Sequence, residues 1–191
     1  MKKNLGAGCI AYPTPTYIVA TYNEDGSCDV MNVAWGGLCA SKPPCVEIAL
    51  NTGRKTRENI LRTNAFTINL CGQDKMEECD YFGLVSGAKE DKLAKVGYTT
   101  TKSEFVNAPV IDAFPLTIEC EVYDTKEIGP HLMVIGEIKN VLADESILNE
   151  KGQVDIEKLK PFGYDPVGNK YVAFDKVIGD AFGAGLKILK G

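Results

Sequence analysis

The residues whose types and spacing most plainly suit chemistry are Asn51-Thr52-Gly53-Arg54-Lys55-Thr56, which lead into the helical pattern Arg57-Glu58-Asn59-Ile60-Leu61-Arg62. The first turn of a helix leaves backbone N–H groups without intrahelical acceptors, and the aligned peptide dipoles make that end partly positive. Hydroxyls and two cations placed there suit a phosphate, and Thr56 is the expected N-cap of a helix from Arg57 to about Thr63-Asn64. Arg54 can fork across two oxygens, whereas Lys55 acts as a point charge. Residues 54 to 62 hold four cations and one anion, in a chain whose net charge is −5. A local positive patch on an acidic background fits a small anionic ligand and argues against a nucleic-acid polymer. A merely solvated helix start is the competing explanation, and Asn51 could simply cap a turn.

Upstream lies the only tryptophan, Trp35, at the end of the strand-like run Asp29 to Trp35 and before a stretch rich in glycine and small residues. A tryptophan in this setting serves equally as a core or interface anchor. Beside a phosphate-suited turn, however, it points to a phosphorylated aromatic cofactor. His131 is the single histidine and hence the one side chain whose ordinary range spans neutrality, although a lone histidine opening a strand is usually structural. No G-x-S-x-G elbow is present, and Gly6-Ala7-Gly8 lacks the strand-to-helix context of a dinucleotide fingerprint. The seven cysteines form no C-x-x-C, and with one histidine they make no zinc set. They read as reduced thiols of a cytoplasmic protein; Cys39 alone falls where a ligand could sit. Met1-Lys2-Lys3 precedes no sustained apolar stretch, so neither a signal peptide nor a membrane span is expected.

A set of β-rich segments must position these residues. At 191 residues, 45% hydrophobic and 25% charged, the chain suits one domain spanning 1–191. Tyr17 to Tyr22 and Ser27 to Trp35 flank turn chemistry at Asn23-Glu24-Asp25-Gly26 and read as a hairpin. Gly36-Gly37 and Pro43-Pro44 mark an irregular loop before a strand from Cys45 to Leu50. Ala65–Cys71, Leu116–Tyr123 and His131–Val141 complete six strands, with Gly136 a candidate bulge or close backbone approach. Asp74–Tyr81 and Glu90–Val96 are short helical or irregular pieces. Hairpin connections favour a mainly β, six-stranded antiparallel barrel with short peripheral helices over alternating βαβ units. After Ala143 the pattern dissolves, and Phe162 to Tyr171 reads as an ordered loop with exposed aromatics.

Several stretches together resemble the flavin reductase-like, FMN-binding split-barrel family, and within it the flavoredoxin branch. They are Asn23 to Gly26, Asn32-Val33-Ala34-Trp35, Pro43-Pro44, Arg54-Lys55-Thr56 with Asn59-Ile60, Phe66-x-x-Asn69, and His131 to Ile138. Their order and spacing over residues 14 to 175 carry the resemblance. It implies a homodimer with FMN held in a groove near the subunit interface. Arg54, Lys55 and Thr56 would bind the phosphate; Asn32 to Trp35, with Cys39, Ala40 and Ser41, would border the ribityl chain and ring. Phe162 and Tyr171 would approach the ring from the C-terminal loop, Asn51 is a further ligand candidate, and His131 becomes an active-site candidate. Met31 stands where several relatives carry Thr or Ser, whose hydroxyl can approach flavin N5. The expected activity passes reducing equivalents from NAD(P)H through FMN to a second flavin or other acceptor. An electron carrier between protein partners, or a non-catalytic flavin-binding barrel, are the alternatives.

Overall fold

The computed structural model describes residues 1–189. The chain opens with β1 (Thr14–Pro15), β2 (Tyr17–Tyr22), β3 (Cys28–Val33), β4 (Gly36–Ser41) and β5 (Pro44–Asn51). Helix α1 (Lys55–Thr63) leads into β6 (Ala65–Leu70), then α2 (Met76–Leu84), α3 (Lys92–Val96) and the small hairpin β7 (Thr100–Lys102) and β8 (Pro109–Ile111). Two long strands follow, β9 (Leu116–Ile128) and β10 (His131–Ala143), then α4 (Ile156–Leu159), β11 (Phe162–Asp165), β12 (Lys170–Ala173) and a terminal turn of helix, α5 (Leu186–Leu189).

The expected barrel is present with one strand more than six. Seven antiparallel strands pair in the order β3-β2-β6-β9-β10-β5-β4. The extra strand is β4, which the glycine pair had marked as loop. It pairs with β5 from Gly36↔Ile48 to Ser41↔Pro44, with a bulge between Leu38 and Ala40. Glycine is needed at its start, since a Cβ on Gly36 would lie 2.6 Å from the Glu47 carbonyl. The sheet curls until β3 comes beside β5 without pairing to it, which leaves a seam in the barrel wall.

Alternation sorts the side chains. On β3, Met31 and Val33 face the barrel interior with Val19, Ile48, Leu50, Phe66 and Val134, while Val30 faces a second cluster with Phe82, Leu93, Phe114 and Phe162. Helix α1 buries Thr56, Asn59 and Ile60, an i, i+3, i+4 stripe, and ends at Asn64 in the left-handed conformation, as its sequence anticipates. The stretch read as a loop after Phe162 is instead the hairpin β11–β12, joined to β1 through Thr14↔Tyr164. Its strands are four residues each, too short for a visible alternation.

Gly136 fulfils both expectations. The β9–β10 register shifts between Ile135 and Gly136, and a Cβ there would lie 2.5 Å from Phe66 Cζ and 3.0 Å from Cys120 Cβ. Both neighbours are fully buried, so neither has room to yield. Gly136→Ala is therefore expected to cost about 1–3 kcal/mol through overpacking. Urea unfolding would read this as a lower midpoint at unchanged slope.

Candidate functional site

Helix α1 starts two residues earlier than expected. Arg54 is its N-cap with extended backbone and no side-chain cap, and Thr56 lies inside the first turn rather than capping it. The Thr56 hydroxyl points inward, donating to Asp29 Oδ2 at 2.5 Å, and the residue is 1% exposed. What Thr56 can offer a surface anion is its backbone N–H. Arg57 N–H bonds back to the Arg54 carbonyl, whereas the N–H groups of Lys55 and Thr56 have no protein acceptor among the described residues. Two free amides beside an exposed Arg54 and a half-buried Lys55 thus form the positive corner that the sequence implies.

Behind this corner lies a buried ion pair. Asp29 faces the interior with the same strand parity as Met31 and Val33, and its Oδ1 sits 3.8 Å from Lys92 Nζ, both side chains being at most 3% exposed. The Lys92 ammonium also donates to the Phe82 and Val85 carbonyls at 3.2 Å, closing the C-terminal end of α2. Burial pushes the Lys92 ammonium below its usual range, Asp29 pulls it back up, and the nearby Arg54 charge adds to the depression. Gly87 fits against the carboxylate so closely that a Cβ there would collide with Asp29 Oδ1. Neither Asp29 nor Lys92 was singled out from sequence. A carboxylate sharing the inward parity of Met31 and Val33 was the available signal for Asp29.

The helix start connects to the tryptophan through paired residues. Asn51 ends β5 opposite His131, the Trp35 carbonyl accepts the Ala49 N–H at 2.9 Å, and the Trp35 and His131 rings stack with centroids 4.8 Å apart. Trp35 stays 42% exposed and borders, with Ala34 and Gly36, a 390 Å³ cavity lined otherwise by the N-terminal segment and Pro166. Seam, helix start and aromatic stack therefore occupy one end of the β5 strand.

The remaining candidates divide. Asn32 faces α2: its amide donates to the Cys79 carbonyl at 3.0 Å and to the Tyr171 hydroxyl at 3.4 Å, while its buried Oδ1 has no partner. Tyr171 in turn donates to Asp80 Oδ1 at 2.8 Å, and burial followed by that hydrogen bond pushes its phenol up. Met31 and Val33 place their side chains in the barrel core, so only their backbone lies on the seam. Phe162 is 6% exposed and packs edge-on against Tyr171 within the second cluster, not on an open loop. Cys39, Ala40 and Ser41 are exposed near the β4–β5 turn, at the opposite end of β5 from Asn51. The eight residues of β5, spanning roughly 23 Å, separate that turn from the helix start, so one chain alone does not bring them together. A 590 Å³ cavity opens on the other flank of Lys55 among Glu24, Asp25, Glu90 and Asp91. Its carboxylates would repel a phosphate, so cavity size is a poor guide here.

The geometry has relatives. The structure superposes on the flavoredoxin of Desulfovibrio vulgaris (Miyazaki F) with a TM-score of 0.92 and 39% identity, covering 97% of this chain and 100% of that one. It superposes on the flavoredoxin from Methanosarcina acetivorans with a TM-score of 0.90 and 26% identity, covering 98% and 100%. In sequence, a flavin reductase of Pseudomonas putida is 24% identical over 130 residues, spanning 68% of this chain and 73% of its own length. A family model described as "Flavin reductase like domain" matches residues 9–161. With the split barrel, the seam and the basic helix start in place, the chain belongs to the flavin reductase-like domain family.

Proposed function

We propose that the chain is an FMN-dependent oxidoreductase that passes reducing equivalents from NAD(P)H through bound FMN to a second flavin or another acceptor. The observation that carries this is the continuity from the free amides of α1, through Asn51 and His131, to the exposed face of Trp35. The residues present suit FMN. Arg54, Lys55 and the amides of Lys55 and Thr56 would hold its phosphate, with Arg54 supplying the bidentate contact. The outward backbone of β3 along the seam is free to meet the polar edge of a flavin ring. Trp35, held flat by His131, would shelter that ring from water. His131 thus acts as a positioning residue. FMN bound there would supply one- and two-electron redox chemistry, and no protein nucleophile is needed.

Several companions follow from this reading. NAD(P)H would dock transiently, since the chain has no dinucleotide fingerprint. A homodimer would cover the edge strand β4, where Leu38 is 77% exposed, and bring Cys39 to Ser41 toward the groove of the second copy. The cysteines are all unpaired thiols, which suits the reducing cytoplasm, and among the described residues no helix is long and apolar enough to cross a membrane. The likeness to a flavoredoxin over 97% of the chain favours a second reading, an electron carrier serving protein partners.

Anaerobic stopped-flow mixing of the FMN-loaded protein with NADH and with NADPH separates the two. Rapid bleaching of the flavin is expected. Bleaching by dithionite but by neither nucleotide would replace the reductase with the carrier, and failure to retain added FMN would overturn both.

A further inference from the structure

Away from the seam, the sheet face beneath the β7–β8 hairpin carries a buried polar row. Thr67 and Asn69 on β6 lie directly opposite Glu119 and Thr117 on β9, and all four are at most 2% exposed. Three of them are satisfied. Thr67 donates to the Pro109 carbonyl at 2.6 Å. The Asn69 amide donates to the Ile18 carbonyl and to Thr67 Oγ1, and its oxygen accepts from the Ile111 N–H and the Thr117 hydroxyl. Glu119 is the exception. It is 0% exposed, its Oε2 accepts the Asn140 amide at 2.6 Å, and its Oε1 has no partner.

A buried carboxylate oxygen left bare is costly, and native interiors rarely tolerate one without a reason. Glu119 also lines a 350 Å³ cavity with Phe105, Val110 and Leu142 as its apolar walls and Thr101, Lys102, Ser103 and the exposed Glu104 between them. That volume is at the small end of ligand pockets, which combine apolar walls with a few placed polar groups. Lys102 stands at the rim and makes no hydrogen bond to Oε1. Metal ligation is disfavoured, because among the described residues no group of three His, Cys, Asp or Glu side chains gathers here or elsewhere.

We propose that this cavity is a second small-molecule site, independent of the flavin groove, that takes a primary ammonium with a short apolar body. The ammonium meets Glu119 Oε1, and the body lies against Val110, Phe105 and Leu142. The Asn140 amide donates to Oε2 and holds the carboxylate facing its ligand.

Calorimetric titration of the full chain with benzylamine, and with benzyl alcohol as its uncharged counterpart, tests this. Benzylamine is expected to bind roughly tenfold or more tightly than benzyl alcohol, a margin set by one charge-assisted hydrogen bond. Glu119→Gln is expected to erase the difference while Lys102→Ala keeps it. The comparison of the two ligands on the unaltered protein needs no variant to fold. Equal binding of the two, no benzylamine heat in the unaltered protein, or benzylamine binding only after Lys102→Ala would each overturn the proposal, the last by showing that Lys102 fills the place itself.

Discussion

Replacing Lys92 with methionine is expected to destabilise the fold by about 3–5 kcal/mol, the usual cost of removing one partner from a buried ion pair. Lys92 and Asp29 are both sealed from solvent, and the ammonium additionally satisfies the Phe82 and Val85 carbonyls. Methionine fills similar volume, so the loss is electrostatic rather than a cavity. It strands the Asp29 carboxylate with the Thr56 hydroxyl as its sole hydrogen-bond donor. Urea unfolding measures the effect. The double variant Asp29→Asn/Lys92→Met should recover most of the loss, because the stranded charge goes with it. A single-variant cost below about 1 kcal/mol, typical of exposed pairs, would show that the pair is no structural element. The same substitution should also weaken any anion held at the start of α1, since an uncompensated carboxylate would then lie directly behind it.

Arg54→Ala is expected to lower FMN affinity roughly 10- to 100-fold while leaving the unfolding midpoint unchanged, as the loss of one charge-assisted contact would. Arg54 is exposed and caps the helix through backbone alone, so its removal asks little of the fold. Fluorescence titration of the apoprotein with FMN measures this loss. Riboflavin, which lacks the phosphate, provides the control: its affinity should be the same with and without the substitution. An equal fall for both ligands would mean that Arg54 acts on the ring side or on the fold instead.

How much of this was legible depended on whether the signal was local. The basic helix start could be read because Arg54, Lys55 and the helical pattern after them are contiguous. Gly136 could be read because glycine inside a β-rich run has few other uses. Strand β4 was hidden because its residues, Gly36 to Ser41, are small apart from Leu38 and show no alternation; their pairing with β5 is set by the turn at Lys42-Pro43 and by the close approach at Gly36. Thr56 was misplaced by the habit of seeking a hydroxyl at the N-cap. Its hydroxyl is consumed by Asp29, a partner that only tertiary structure supplies. Lys92 was silent for the same reason, since a lysine opening a short helix is ordinarily a solvated residue. Phe162 and Tyr171 were recognised as aromatics of consequence, but the hairpin that packs Phe162 inward and ties Tyr171 to Asn32 and Asp80 is too short to announce itself.

The most direct measurement is a crystal structure of the FMN-saturated protein. The phosphate should lie within hydrogen-bond reach of the Lys55 and Thr56 amides with Arg54 turned onto it, and the ring should run along the β3 seam toward Trp35. FMN bound elsewhere, with Arg54 and Lys55 left in bulk solvent, would contradict the assignment of the site.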